Sequence, residues 1–107
     1  MTRAELSAAG CRLEPSGPGR YALCGDVEFA SAGRLLEEGR TAFSGQASVE
    51  VDLSGMSSAD SVGLAVLIEW TRNARSEGRQ ISFRAAPARL LDIARISGVD
   101  DLLPLAG

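Results

Sequence analysis

The 107-residue sequence contains no histidine and no lysine, so all eleven of its basic residues are arginine. These absences exclude a Ser-His-Asp triad, a histidine zinc site, a Schiff-base lysine and a Walker A lysine. A serine nucleophile would lack an evident base, because nothing in the sequence orients the adjacent aspartate. We therefore expect no catalytic residue, no metal site and no cofactor, and we regard an enzyme as the least favoured class of function.

Long apolar runs and an excess of positive charge are also absent. No apolar run is long enough to span a bilayer, and the first ten residues lack the apolar core of a signal peptide. The net charge of −3 provides no basic surface for nucleic acid. Cys11 and Cys24 are not spaced as C-x-x-C and are interpreted as reduced thiols. We expect a cytoplasmic protein that reaches a membrane only through a partner.

The chain alternates between strand patterns and helix patterns. Two short alternating segments, 11–14 and 20–24, flank a turn-rich stretch and predict an antiparallel hairpin. Helical periodicity begins near residues 31, 61 and 87, and alternating strands at 49–53 and 81–85 separate the three helices. The predicted fold class is α/β, in the order β-β-α-β-α-β-α, with a four-stranded mixed sheet. Because the later strands alternate strictly, the helices should lie mainly on one face.

The predicted domain organisation is a loosely ordered arm, residues 1–9, followed by a single domain over residues 10–107. Val27 and Phe29 are expected to anchor the chain in the core before the first helix. Gly78 and Gly98 are expected to end the second and third helices, and Ile96 is one of the apolar residues that form the third. Gly33 and Gly39 should each weaken the first helix by roughly 1 kcal/mol relative to alanine, unless close packing requires them.

The best candidate for a functional site lies where the third strand meets the central helix. A loop rich in serine follows this strand, and an apolar helical period begins near Ser61. Serine and aspartate at this position most often only cap a helix. Together, however, they place exposed hydroxyls at a helix N-terminus, where backbone N–H groups and the helix dipole favour an anion.

The segment 60–64, Asp-Ser-Val-Gly-Leu, follows a Val-Asp-Leu strand end and resembles the Asp-Ser-Ser-Gly-Leu or Asp-Thr-Gly-Gly-Leu signature of STAS domains. This family includes the bacterial anti-sigma-factor antagonists. It also includes the small STAS subunit of the Mla ABC transporter, which maintains lipid asymmetry in Gram-negative outer membranes. The ending at residues 97–105 is similar to that of the transporter subunits. The resemblance implies a small mixed sheet backed by helices.

The closer resemblance, to the transporter subunits, implies a non-catalytic cytoplasmic protein, peripheral to the inner membrane through its partner. It would bind and support the ATPase of a phospholipid-transport ABC transporter, in a complex with permease and lipid-binding subunits. The alternative is an anti-sigma-factor antagonist, whose partner is an anti-sigma factor kinase that phosphorylates Ser61. Val62 stands where that motif has its second serine. This departure does not affect the assignment of Ser61 as the phosphorylated position.

The central helix carries a second apolar stripe, Val62, Val66 and Trp70, beside its main one. Trp70 lies among polar residues and is interpreted as an interface anchor. For Val62 and Val66, packing against a neighbouring helix is an equally favoured alternative to an interface. The predicted partner-binding surface comprises Ser57, Ser58, Asp60, Ser61, Val62, Val66, Glu69, Trp70 and Asn73.

A prediction about nucleotides follows from the missing lysine. The isolated chain should not bind Mg-ATP with micromolar affinity, because it has no glycine-rich loop that ends in a phosphate-binding lysine. Isothermal titration calorimetry of the chain with Mg-ATP checks this. Stoichiometric micromolar binding would contradict the prediction.

Overall fold

The computed structural model describes residues 11–57 and 60–106 of the chain. Their secondary structure follows the predicted order, and a short 3-10 turn at Asp100–Leu102 comes last. The predicted arm, residues 1–9, lies outside the described residues. The strands and helices are β1 (Arg12–Gly17), β2 (Arg20–Cys24), α1 (Phe29–Phe43), β3 (Ser48–Asp52), α2 (Ser61–Ser76), β4 (Gln80–Arg84) and α3 (Ala88–Ile96).

The four strands form one mixed sheet in the order β1-β2-β3-β4, which confirms the predicted fold class. β1 and β2 pair antiparallel as a hairpin, whereas β3 pairs parallel with both β2 and β4. β1 extends through Pro15, further than predicted, with a register shift before Gly17. Proline is tolerated there because β1 has only one neighbour in the sheet order. At the other end of the sheet, Phe83 of β4 pairs with Leu105 of the C-terminal tail.

One face of the sheet carries the core and the other is polar. The apolar residues of β3 and β4 are buried, as the alternating pattern predicts: Val49, Val51, Ile81 and Phe83. On the opposite face, Glu50 lies between two arginines, 3.7 Å from Arg20 and 3.3 Å from Arg84. The Glu50 carboxylate is thus partly covered by two guanidinium groups and paired with both.

The close approach of α1 to α2 corrects the interpretation of Trp70. This side chain is 1% exposed, and its Nε1 donates a hydrogen bond to the carbonyl oxygen of Leu35 in α1 at 3.2 Å. Its ring meets Phe43 edge-on at 5.5 Å between centroids, and Phe43 meets Tyr21 of β2 in the same way at 5.0 Å. Trp70 is therefore not an exposed interface anchor. The wider apolar surface of α2 covers a second helix as well as the sheet.

Phe29, which was predicted to be an apolar anchor, is exposed, and so is Ile96. Phe29, the first residue of α1, is 87% exposed, and Ile96, the last residue of α3, is 86% exposed. Val27 alone anchors the entry to α1, at 1% exposed. On α3 the buried residues are Leu90 and Ala94, and the 100° step per residue places Ile96 well away from their stripe.

Glycines end α2 and α3 as predicted. Gly78 and Gly98 adopt left-handed backbone conformations, with φ of 69° and 73°. The next backbone N–H in each case donates back to the helix, from Arg79 to Ala74 at 2.8 Å and from Val99 to Ala94 at 2.9 Å. These bonds satisfy carbonyl groups that the helix end would otherwise leave unpaired.

The two glycines of α1 make a matched test of its packing on α2. A Cβ atom on Gly39 would lie 2.2 Å from Nε1 of Trp70, whereas a Cβ on Gly33 would meet nothing within 4 Å. Because Trp70 is buried and hydrogen-bonded, Gly39→Ala should lower the free energy of unfolding by about 1–3 kcal/mol. Gly33→Ala should raise it by up to about 1 kcal/mol. Urea denaturation of both variants checks this, and equal effects would contradict it.

Candidate functional site

The turns that follow β2 and β3 are joined at one edge of the sheet. The backbone N–H of Gly25 donates to the carbonyl oxygen of Gly55 at 2.9 Å, and the N–H of Ser57 donates to the carbonyl oxygen of Gly25 at 3.0 Å. Because β2 and β3 run parallel, the helices that follow them, α1 and α2, both begin at this edge. We call the segments 24–30, 54–57 and 60–64 together the tip.

At the start of α2, capping and exposure are divided between two neighbouring residues. Asp60 is the N-cap, and its Oδ1 accepts hydrogen bonds from the backbone N–H groups of Val62 at 3.0 Å and Gly63 at 3.1 Å. Ser61 is the first residue of α2 and is exposed. The cap therefore does not use the Ser61 hydroxyl, which remains accessible to a partner or to a modifying enzyme.

Glycines allow the tip segments to pack closely. A Cβ on Gly63, in the first turn of α2, would lie 3.2 Å from Cε of Met56 and 3.6 Å from Cβ of Val27. A Cβ on Gly55 would lie 2.8 Å from Sγ of Cys24. The first turn of α2 thus sits directly on the turn that leads into α1. This contact gives the glycine of the Asp-Ser-Val-Gly-Leu segment a packing role.

The tip is acidic. Asp26, Glu28 and Asp60 lie within these segments, which contain no arginine or lysine. Asp52 ends β3 just before the tip, and the hydrogen bonds from Ser54, with a smaller contribution from the charge of Arg84, hold the pKa of this carboxyl below its ordinary value of 3.8. Because the pKa of Asp52 is lowered, the ionised carboxylate stabilises the fold at pH values above 3.8. This stabilisation is lost as pH falls through the lowered pKa of the folded protein.

The residues predicted to bind a partner do not share one surface. Exposure separates them as follows: Ser57, Asp60 and Ser61 are exposed at the tip, Val62, Glu69 and Asn73 are half-buried along α2, and Val66 and Trp70 are each 1% exposed. Ser58 lies outside the described residues. The structure therefore retains the hydroxyl-bearing tip of the prediction and contradicts the placement of Val66 and Trp70 on its surface.

The outward face of α2 includes residues that the prediction missed. Ala65 and Arg72 are exposed and Ile68 is half-buried, and all three follow Ser61 at helical spacing. Arg72 forms an ion pair with Glu69 at 3.2 Å. Helical steps of four, seven and eleven residues from Ser61 would have identified them.

Across residues 11–57 and 60–106, no group of three or more acidic or cysteine side chains is placed to hold a metal ion. In the same part of the chain, no helix has both the length and the apolarity required to cross a membrane. Three described serines of the tip are exposed: Ser54, Ser57 and Ser61.

Comparison with known proteins places the chain in a family. The family model described as "Mlab, STAS domain" matches residues 6–104. No curated protein sequence matches the chain.

Several solved structures share the fold. The anti-sigma factor antagonist SpoIIAA in its unphosphorylated form superposes with a TM-score of 0.68 at 13% identity, covering 91% of this chain and 88% of that one. A candidate anti-sigma factor antagonist from Thermotoga maritima gives 0.71 at 14% identity, covering 89% and 84%. An anti-sigma factor antagonist from Mycobacterium paratuberculosis gives 0.65 at 18% identity, covering 89% and 82%.

The division between cap and exposed hydroxyl can be tested by stability measurements. Asp60→Ala should lower the free energy of unfolding by about 1 kcal/mol, because two backbone N–H groups lose their acceptor. Ser61→Ala should change it by less than about 0.5 kcal/mol, because the cap remains in place. Chemical denaturation of both variants distinguishes them. A larger loss for Ser61→Ala would show that the hydroxyl is structural.

Proposed function

This chain belongs to the STAS domain family, and from this membership we propose that it is a non-catalytic subunit of a phospholipid-transport ABC transporter. In this role it binds the ATPase and supports its assembly and activity, within a complex that also holds permease and lipid-binding subunits. STAS domains are regulatory and binding domains that act through protein partners. The family description, which names Mlab, supports the transporter assignment within that class.

The accessible hydroxyl of Ser61 is the observation that carries the proposal. It stands at the start of α2 while Asp60 alone caps the helix, so a partner can contact the hydroxyl without disturbing the fold. From Ser61 the exposed face of α2 continues through Ala65 to Arg72. A protein that lies along this face would contact a strip about three helical turns long, or roughly 16 Å.

The same geometry argues against catalysis at Ser61. Asp60, the neighbouring carboxylate, already accepts two backbone hydrogen bonds through Oδ1, and its extended backbone holds it in the capping position. The chain has no histidine or lysine that could serve as a base instead. A serine without a base to accept its proton is a weak nucleophile. We propose that Ser61 acts as a contact.

An anti-sigma-factor antagonist is the second candidate function. Two solved structures with this fold, SpoIIAA and the Mycobacterium paratuberculosis protein, are named as such. In this version a partner kinase phosphorylates Ser61, which adds about −1.5 to −2 charges to a tip that already contains Asp26, Glu28 and Asp60. The modified tip would repel acidic surfaces and become a different ligand for its partner, while the Asp60 cap keeps the helix start in place.

Two substitutions at Ser61 test the docking proposal. Ser61→Glu should weaken binding to the transporter ATPase by about tenfold or more, because the contact buries a carboxylate that has no partner. Ser61→Ala should weaken it less, because it removes only a hydroxyl. Co-purification of each variant with the ATPase, alongside thermal melts, provides the measurement.

Two results would count against the transporter role. If both variants bind the ATPase as wild type does, Ser61 is not part of the interface. If instead the chain binds an anti-sigma factor kinase and is phosphorylated on Ser61 by it, the second candidate function replaces the first. The genes beside this one give an independent control, since permease and lipid-binding genes accompany a transporter.

A further inference from the structure

Phe29 is the most exposed large apolar side chain of the described residues, at 87%. Other apolar residues nearby, Val27 and Met56, are buried. An exposed phenylalanine forgoes the stabilisation that burial would give to the folded chain. Aromatic side chains in such positions are frequent anchors of protein–protein interfaces, where a pocket on the partner removes them from water.

Phe29 lies at the same end of the molecule as Ser61. Each begins a helix, α1 and α2 respectively, and both helices follow parallel strands at the same edge of the sheet. The turns that lead into the two helices contact each other directly. Val27 packs beside Gly63, and the N–H of Ser57 donates to the carbonyl oxygen of Gly25. The exposed ring and the accessible hydroxyl therefore lie at the starts of two helices that begin at the same edge of the sheet.

The charges around Phe29 indicate what kind of partner fits. Glu28 and Asp60 are exposed, Asp26 is half-exposed, and the tip has no basic residue to pair with them. A second copy of this chain would bring the same carboxylates together, and like charges facing each other disfavour contact. An anionic membrane surface would repel them too. A protein surface with an apolar pocket rimmed by arginine or lysine complements both features.

We propose that Phe29 is the apolar anchor of the ATPase-docking surface, inserting into a pocket on the ATPase that is rimmed by basic residues. The inference rests on the proposed function and extends it, because it adds α1 to an interface otherwise assigned to α2. The carboxylates of Asp26 and Glu28 form the charged rim of the contact. Phe29 and Ser61 form its water-excluding centre, where an added charge is disfavoured.

The protein provides its own matched control for an anchor test. Ile96 is 86% exposed but ends α3, at the opposite edge of the sheet from the helix starts. Phe29→Ala should weaken binding to the purified transporter ATPase by at least about tenfold. Ile96→Ala should change the affinity by less than about twofold. Phe29→Leu should restore most of the affinity, because it keeps an apolar side chain for the pocket.

Calorimetry with the full chain and the purified ATPase gives the affinities, and thermal melts confirm that each variant is folded. Wild-type affinity should fall as salt is raised from about 0.05 to 0.5 M, because rim charges are screened. If wild type does not bind the ATPase, the proposed function fails together with the anchor. If wild type binds and Phe29→Ala binds equally well, the function stands and the anchor is overturned.

Two further measurements identify a different occupant of the surface. Sedimentation velocity shows whether wild type is a dimer that Phe29→Ala converts to a monomer. Flotation with phosphatidylglycerol vesicles shows whether wild type binds a lipid surface through Phe29. Either result, with ATPase affinity unchanged by Phe29→Ala, would overturn the anchor assignment.

Discussion

The close contact between Gly39 of α1 and Trp70 of α2 is the constraint on which the arrangement of the helices depends. The indole occupies the space where any other residue at position 39 would place its Cβ. Its Nε1 hydrogen bond to Leu35 gives the buried polar atom a partner, which a dry helix interface requires. Edge-on ring contacts then extend through Phe43 to Tyr21 of the sheet. One row of aromatic side chains thus ties α2, α1 and β2 together.

This packing also determines where the functional surface is. Because α1 and α2 pack side by side and follow parallel strands, both helices begin at the same edge of the sheet. Hydrogen bonds between the turns and the close contact at Gly63 join the two helix starts. The starts of α1 and α2 are therefore fixed relative to each other by backbone hydrogen bonds and close packing. Preorganisation of this kind lowers the cost of association.

The tip separates two roles that a single residue often combines. A serine that caps a helix cannot be modified or buried by a partner without loss of the cap. Here Asp60 supplies the acceptor for two backbone N–H groups, and Ser61 is left accessible. This separation suits either proposed function, because docking and phosphorylation both act on the hydroxyl. Solved structures of 13% to 18% identity share the fold, so the fold alone does not choose between the two functions.

Local and periodic signals in the sequence were sufficient for the order of elements, the one-sided sheet, the glycine caps at Gly78 and Gly98, and the placement of Ser61 at a helix start. Each depends on neighbours a few residues apart along the chain. Which apolar residues are covered was decided only by the tertiary structure. Trp70 is buried because α1 lies across it, whereas Phe29 is exposed because no described element covers the start of α1. Helical periodicity reports the faces of one helix, and burial also depends on where the next helix is placed.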